Sequence, residues 1–180
     1  KDWKLPNVYL LHGDLSDIEM NYLYNHPKVK SFISFTHGEG FGRPLLEATM
    51  TGLPVITSNW SGHVDFLDEK YCILLGGKLE QVPKSAVWKN IIEKDSQWFV
   101  VDENSTYKML NNMFQNYEFT KKNAKELMKV NRNKFTLKKM GELLNEMVDG
   151  YISENIKSPQ QVSLNLPKLK KVSENKPSEI

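Results

Sequence analysis

The segment from Val29 to Thr57 constrains the fold of this chain more than any other part of the sequence. It consists of an apolar run, a glycine-containing turn, a short helical stretch and a second apolar run. The glycines of the turn are Gly38, Gly40 and Gly42. Because proline is tolerated in the first turn of a helix and glycine ends one, the sequence predicts a helix from Pro44 to Thr51 that stops at Gly52. Such a strand–helix–strand unit is typical of a parallel α/β sheet.

Four apolar runs are predicted to form the strands of that sheet: Val8–Leu11, Val29–Phe35, Leu53–Thr57 and Tyr71–Leu75. The runs are nearly continuous rather than alternating, which is typical of strands that helices cover on both faces. The predicted fold class is therefore α/β, a Rossmann-like parallel sheet with flanking helices. Ligands of such sheets lie beyond the carboxyl ends of the strands, and the turn after Phe35 is at such an end.

The flanking helices are predicted from capping residues and apolar periodicity. Ser16 and Glu19 form a capping-box pattern, which predicts a helix that ends before Pro27. The inward side chains of this helix are predicted to be Ile18, Tyr22 and Leu23. From Ser105 onward the pattern is helical again. Its apolar stripes are Tyr107, Leu110, Met113 and Phe114, then Ala124, Leu127 and Met128, then Leu137, Met140, Leu144, Met147 and Tyr151 after a Thr136 cap.

The remaining segments set the expected domain organisation. Residues 83–98 are predicted to form a short helix packed on the domain, and Trp98–Val101 a further short strand. Residues 1–152 are expected to form one domain, and the polar, proline-containing residues 153–180 a flexible tail. The chain begins without methionine in a stretch that runs directly into a strand-like segment, so we expect it to be cut from a longer protein.

Composition argues against several classes of partner. The formal net charge is +2 and the only arginines are Arg43 and Arg132, so nucleic acid is not the expected ligand. No apolar stretch approaches the roughly 18 residues of a membrane span. The sequence has no Cys/His cluster for zinc and no D-x-D pair for a metal-bound nucleotide. The single cysteine, Cys72, is expected to be a small buried apolar side chain, and a cytoplasmic location is expected.

Glu39 and Glu47 frame the glycine turn and are the candidate functional residues. The first N–H groups of a helix lack internal partners and bind anions. A helix start between two carboxylates therefore suits a ligand with both phosphate and hydroxyl groups. Each glutamate alone has a plainer explanation, Glu39 as a solvated loop acid and Glu47 as a partner of the helix dipole at roughly 0.3–1 kcal/mol. Arg43 is either a phosphate contact or a surface residue, and His37 either a ligand contact or a structural residue.

The sequence HGEGFGRPLLEATMTGLPVITSNWSGHVDFL resembles the donor-site signature of retaining glycosyltransferases with the GT-B fold, of the family 4 type. That signature has the form E-G-F-G-x-x-x-x-E-A-x-x-x-G-x-P-V. It is matched at Glu39, Gly40, Phe41, Gly42, Glu47, Ala48, Gly52, Pro54 and Val55. The resemblance covers approximately residues 5–150, and its motif is far more specific than a lone pair of glutamates.

The resemblance implies a role for this chain and for its residues. In the family, the C-terminal domain binds a nucleotide-diphosphate sugar, which is then transferred with retention to a hydroxyl of a glycan, lipid or other acceptor held by the N-terminal domain. Glu39 would be catalytic at the donor sugar, and Glu47 would bind the ribose. Contacts to the sugar and diphosphate are implied for Gly40, Phe41, Gly42, Arg43, Pro44 and Leu45. The base-binding loop would be Leu15, Ser16 and Asp17, unless Ser16 and Asp17 serve only as helix caps. No metal or other cofactor is required.

The sequence also departs from the family pattern. The strand–helix–strand stretch that begins the family's C-terminal domain and carries a basic pair for the diphosphate is absent, and Asp65 lies where the family often has glutamate. Compared with the family pattern, residues 83–98 look like an insertion between two expected elements. We therefore expect a fragment, incomplete at its N-terminus, that binds donor weakly and has little activity alone. Two alternatives stay open: a non-catalytic nucleotide- or sugar-binding module that works with a partner subunit, and a nucleotide-sugar epimerase of GT-B fold.

Overall fold

A three-stranded parallel sheet forms the centre of the fold. The computed structural model describes residues 6–152, so the predicted tail at 153–180 lies outside the described residues. The strands are β1 (Phe32–Ser34), β2 (Val55–Ser58) and β3 (Ile73–Leu75), in the order β1–β2–β3. Phe32 is paired with Val55, and Ile56 with Ile73, both in parallel register. The predicted parallel α/β fold is confirmed, although each strand is shorter than its apolar run.

Apolar clusters cover both faces of the central strand β2, whose residues are all buried. Val55 packs in one cluster with side chains of the helices α1 (Asp17–Asn25) and α2 (Arg43–Met50), among them Tyr24 and Leu45. Ile56 packs in a second cluster with Leu75 and Met113. Because successive side chains of a strand point to opposite faces, this split is what a sheet covered on both sides requires.

The first predicted strand, Val8–Leu11, is wrong. These residues form no strand and are exposed, Val8 at 88% and Leu10 at 89%. A strand needs a neighbour for its backbone N–H and C=O groups. Among residues 6–152 no strand pairs with this segment. The apolar composition of Val8–Leu11 favours a strand, but it does not show whether a second strand is available to pair with it.

Helix α1 begins where the capping box predicts. Glu19 N–H donates to Ser16 Oγ at 3.4 Å, and Ser16 N–H donates to Glu19 Oε2 at 2.8 Å. The predicted inward face is wrong in part, because Ile18 and Tyr22 are exposed and Tyr24 is the buried residue. Helix α2 begins one residue before its predicted start and is followed by Gly52 at φ +68°, as predicted.

An antiparallel hairpin that the sequence did not predict follows β3. It pairs β4 (Gly77–Gln81) with β5 (Gln97–Val101), so the predicted strand at Trp98–Val101 is confirmed but in a different sheet. Of the short helix predicted at 83–98, only a 3₁₀ turn at Lys84–Ala86 forms; Trp88 and Ile92 make a bridge, and residues 97 and 98 belong to β5. The β4 sequence is mostly polar and exposed, which is why apolar periodicity did not reveal it.

Three helices complete the described chain: α3 (Glu103–Gln115), α4 (Tyr117–Lys134) and α5 (Leu137–Tyr151). Helix α4 packs against α2 through Asn131, which is 1% exposed and donates to Thr49 Oγ1 at 2.9 Å and to Phe66 O at 3.2 Å. Ala124 and Leu127 of the predicted stripe are buried on the same helix. This packing fixes the helix that follows the glycine turn.

The other two predicted stripes are wrong at several positions. On α3, Met113 is buried but Tyr107 and Phe114 are exposed, since only one edge of that wide stripe reaches the sheet. Chain contacts divide the protein into two units, Lys1–Lys139 and Met140–Ile180, and most of α5 lies in the second. On α5 the exposed side chains include Leu137, Leu144, Met147 and Tyr151. Helical periodicity identifies an apolar face but not whether that face is covered.

Candidate functional site

Glu39 lies in the loop after β1, and contacts with residues 61 and 62 fix its backbone. Ser61 Oγ accepts a hydrogen bond from Glu39 N–H at 3.0 Å and donates one to Glu39 O at 2.6 Å. The Gly62 N–H donates to the same carbonyl at 2.9 Å. The Glu39 carboxylate is half-buried and forms no hydrogen bond or ion pair with any residue from 6 to 152. The loop therefore holds the main chain of Glu39 and leaves its carboxylate available.

The two residues that hold this loop have unusual local geometry. Ser61 has φ +82° and ψ −166°, a backbone region that is nearly restricted to glycine and costs on the order of 1–3 kcal/mol for other residues. A side chain at Gly62 would overlap the carbonyl oxygen of Gly40. The loop and the 60–62 turn are thus in direct backbone contact, with no room for a β-carbon between them.

We call the start of helix α2 open because no side chain caps it at Gly42, which is itself buried. Gly42 has φ +83°, and no side chain caps the helix here. A β-carbon at Gly42 would lie 3.0 Å from His63 Cβ and 3.1 Å from Leu45 Cδ1, so the position is closely packed on one side as well as left-handed. The backbone N–H groups of the first turn, at Arg43 and Leu45, have no acceptor within the helix. They form the kind of helix start that binds anions.

Arg43 and Glu47 bind each other across one turn of α2. Arg43 Nε donates to Glu47 Oε1 at 2.8 Å, and the two side chains are 78% and 38% exposed. An exposed pair of this kind contributes little to stability, typically about 0–1 kcal/mol. Burial, and after it the Glu47 carboxylate, raises the pKa of the nearby Tyr24 hydroxyl. The side chains of these two predicted ligand contacts therefore neutralise one another.

A cleft of about 970 Å³ brings several predicted residues together. The lining includes Leu15, Asp17, Arg43, Pro44 and Glu47. It thus joins the predicted base loop, the predicted diphosphate contacts and the predicted ribose ligand. Glu39 and the glycines Gly40 and Gly42 do not line this cleft and belong to the adjoining loop.

Other predicted residues have structural contacts of their own. The Ser16 side chain caps α1, which is the structural alternative given for it in the sequence analysis. Asp17 lines the cleft. Leu45 is buried, so it can offer a ligand only its backbone. The Phe41 ring packs against Phe66, with ring centroids 5.1 Å apart, and remains partly exposed.

Sequence reasoning missed two residues of this region. Arg132, on α4, lines the same cleft and donates from Nε to Met50 O at 2.7 Å. The sequence contained one indication that Arg132 could matter, because it is the only arginine besides Arg43. Ser61 had none, since its role depends on a contact between loops 22 positions apart.

His37 and His63 have distinct surroundings near the site. His37 Nδ1 lies 2.7 Å from Phe99 O, and its ring is stacked on Trp98 with centroids 4.0 Å apart. The hairpin thereby fixes the orientation of the His37 ring. Because a carbonyl oxygen can only accept a hydrogen bond, Nδ1 must carry the proton. His63 is fully buried, and its Nε2 lies 2.7 Å from Ser58 O. The structural alternative for His37 therefore has direct support.

Residues 6–152 contain neither a cluster of metal ligands nor a membrane-spanning helix. This part of the chain contains no group of three or more His, Cys, Asp or Glu side chains that could hold a metal ion. It also contains no helix of the length and apolarity that crossing a membrane would need.

The sheet, the glycine turn and the open helix start define an α/β domain of the Rossmann-like class, with a cleft beside its first two helices. The model of the family described as Glycosyl transferases group 1 matches residues 2–94, which is more than half of the chain. The chain therefore belongs to this family of retaining glycosyltransferases, and the matched region corresponds to the C-terminal, donor-binding domain of GT-B enzymes. No curated protein and no solved structure matches it.

Proposed function

We propose that this chain supplies the donor site of a glycosyltransferase that moves a sugar from a nucleotide diphosphate to an acceptor hydroxyl with retention. The observation that carries the proposal is the pairing of a fixed Glu39 backbone with an open helix start at Gly42, beside a cleft that contains Glu47. One ligand with a sugar, a diphosphate and a ribose would use all three features.

Glu39 is the proposed contact at the donor sugar. Its carboxylate has no partner among the described residues and can accept hydrogen bonds from sugar hydroxyls. Gly40 leaves open space where a β-carbon would lie, which gives a ligand access to the backbone there. The partly exposed Phe41 and the Gly42 backbone would bound the sugar on the helix side.

The amino end of α2 is the proposed diphosphate contact. The unpaired N–H groups of Arg43 and Leu45 supply donors, and the helix dipole favours negative charge at this end. Negative charge grows on the leaving phosphate as the glycosidic bond breaks. Donors fixed beforehand at that position stabilise the transition state more than the bound substrate.

Glu47 is the proposed ligand of the ribose hydroxyls. It is bound to Arg43 in the structure, so donor binding would replace one partner of each side chain. Glu47 would accept hydrogen bonds from ribose, and Arg43 would turn towards phosphate oxygens. The exchange costs little because the pair is exposed. Leu15 and Asp17 line the same cleft and are the proposed base contacts, with Ser16 contributing only as a cap.

Donor binding and turnover by variants test this proposal. We expect Glu39→Gln and Glu47→Gln each to weaken donor binding or transfer by roughly tenfold or more, the equivalent of 1.4 kcal/mol. Glu126→Gln is the matched control, because Glu126 is a half-exposed glutamate on α4 whose ion-pair partner within residues 6–152 is Lys129, away from the cleft. Ligand-observed NMR with UDP-, GDP- and ADP-sugars would identify the base. Wild-type behaviour of both variants would refute the site.

The acceptor, and an acceptor-binding domain in a longer protein, belong to the same proposal. Transfer by a longer protein, together with donor binding but no turnover by the 180-residue chain, would support a fragment whose donor site needs a second domain. Donor binding without transfer in both would favour the non-catalytic module. The single buried Cys72 fits the reducing cytoplasm that we propose as its location.

A further inference from the structure

A smaller cavity, of about 390 Å³, lies at the opposite end of α2 from Gly42. Three lysines line it, Lys30, Lys121 and Lys125, together with Asn25 and a single carboxylate, that of Glu118. We call this cavity the lysine pocket. Three ammonium groups and one carboxylate give its walls a net charge of +2.

The lysines of this pocket lie close enough to repel one another. Burial lowers the pKa of Lys121, and the Lys125 and Lys30 charges lower it further, with only Glu118 acting in the other direction. Among residues 6–152, neither Lys30 nor Lys125 forms an ion pair. Clustered like charges without counter-charges destabilise a protein unless something compensates for them.

Existing contacts use only part of the donor capacity of these groups. Lys121 Nζ donates to Gly52 O at 2.8 Å, which accounts for one of its three N–H donors. Lys30 Nζ lies over the Tyr117 ring, 5.4 Å from its centroid, and forms no hydrogen bond with another residue from 6 to 152. Several N–H donors therefore remain for a ligand with several acceptor oxygens.

The lysine pocket is separate from the proposed diphosphate contact. Lys30 precedes the first residue of β1, whereas Glu39 follows the last. The pocket borders the larger cleft at Tyr24 and Thr51. Helix α2 has 8 residues, so its two ends are about 12 Å apart at 1.5 Å per residue. A diphosphate at Gly42 would not reach the lysines.

We propose that the lysine pocket is a second anion site, which binds the phosphate group of a phosphomonoester. A phosphate dianion matches the net charge of the walls and offers enough oxygens for Lys30, Lys121 and Lys125 together. The phosphate can come from a soluble ester or from a lipid headgroup, and both sources present the same chemistry. The proposal does not depend on the glycosyltransferase activity.

An NMR titration of the 180-residue chain with inorganic phosphate tests the site. We expect saturable shifts of the amides at residues 25–30 and 117–125, with a Kd on the order of 1 mM that rises with salt. The double variant Lys30→Gln/Lys125→Gln should weaken binding by roughly tenfold. It leaves Lys121 and its structural contact with Gly52 intact. Lys122→Gln is the matched control, an exposed lysine on the same helix outside the pocket.

Two further arms identify the source of the phosphate. Glycerol phosphate competing at the same amides would support a soluble ester, and flotation with phosphatidic acid vesicles but not phosphatidylcholine vesicles would support a headgroup. The proposal is overturned if phosphate shifts only amides 43–46, if no shift saturates, or if the double variant binds as tightly as the wild type.

Discussion

Ser61 Oγ binds both ends of the Glu39 residue, accepting from its N–H at 3.0 Å and donating to its C=O at 2.6 Å. One hydroxyl thereby fixes the backbone of the residue whose carboxylate faces the proposed donor sugar. The serine holds this position at φ +82°, where a glycine would be less strained. The two hydrogen bonds of its hydroxyl are therefore what serine provides at this position and glycine would not.

Replacing Ser61 separates backbone strain from hydrogen bonding. We expect Ser61→Ala to lose about 1–3 kcal/mol of unfolding free energy, because it loses two hydrogen bonds and keeps the strain. Ser61→Gly removes the same bonds but relieves the strain, so its stability should exceed that of Ser61→Ala. Both should weaken donor binding. Urea unfolding and donor titration measure the two effects, and equal stability of the two variants would contradict this account.

A side chain at Gly62 should disrupt the Glu39 loop. Its β-carbon would overlap Gly40 O, which is backbone and cannot move aside alone. We expect Gly62→Ala to lower the unfolding free energy by roughly 1–3 kcal/mol, the range of overpacked sites. Gly40→Ala is the control in the same loop, because a β-carbon there meets no atom within 4 Å. Thermal unfolding of the two variants measures the difference in their stability. Equal stability of Gly62→Ala and Gly40→Ala would show that the two loops do not touch.

Arg43→Gln should affect ligand binding much more than folding. The pair with Glu47 is exposed, so its loss should change the unfolding free energy by no more than about 0.5 kcal/mol. We expect donor affinity to fall severalfold, since Arg43 is proposed to turn towards phosphate. Lys129→Gln removes another exposed ion pair on α4 and should change neither quantity. Unchanged or tighter donor binding by Arg43→Gln would mean that the arginine only competes for Glu47.

Cys72 should react slowly while the protein is folded. Burial, followed by the Asp68 and Glu69 charges, raises the pKa of its thiol to about 12 from 9.0. The folded state thus favours the neutral thiol, and the stability that this contributes is present below pH 9 and is lost as the pH rises towards 12. Alkylation by iodoacetamide at pH 8 should be slow in buffer and fast in urea. Fast alkylation in both would indicate an exposed thiol.

Local sequence chemistry predicted the parts of the fold that depend on neighbouring residues. The Ser16 cap, the α2 start beside Pro44 and the stop at Gly52 all follow from backbone requirements within a few positions. The Val8–Leu11 strand failed because strand formation depends on a partner, which the run itself does not contain. The hairpin was missed because its first strand is polar and exposed.

The same division applies to the candidate site. The contiguous motif from Glu39 to Glu47 was predicted from its own residues, and its assigned roles remain predictions. Ser61 and Arg132 were not found, because each reaches the region from a different element far along the chain. Their contributions depend on distances between elements, and no spacing within the motif encodes those distances.

The Phe41 ring of the motif is packed against Phe66 and Phe135, and Phe135 follows directly after α4. The family match ends at residue 94. Phe135, which packs against Phe41 of the signature, lies 41 positions beyond that end. The family match and the aromatic packing around its signature therefore end at different residues. A chain that stops at residue 94 would keep the contact between Phe41 and Phe66 but would lose the packing of both rings against Phe135.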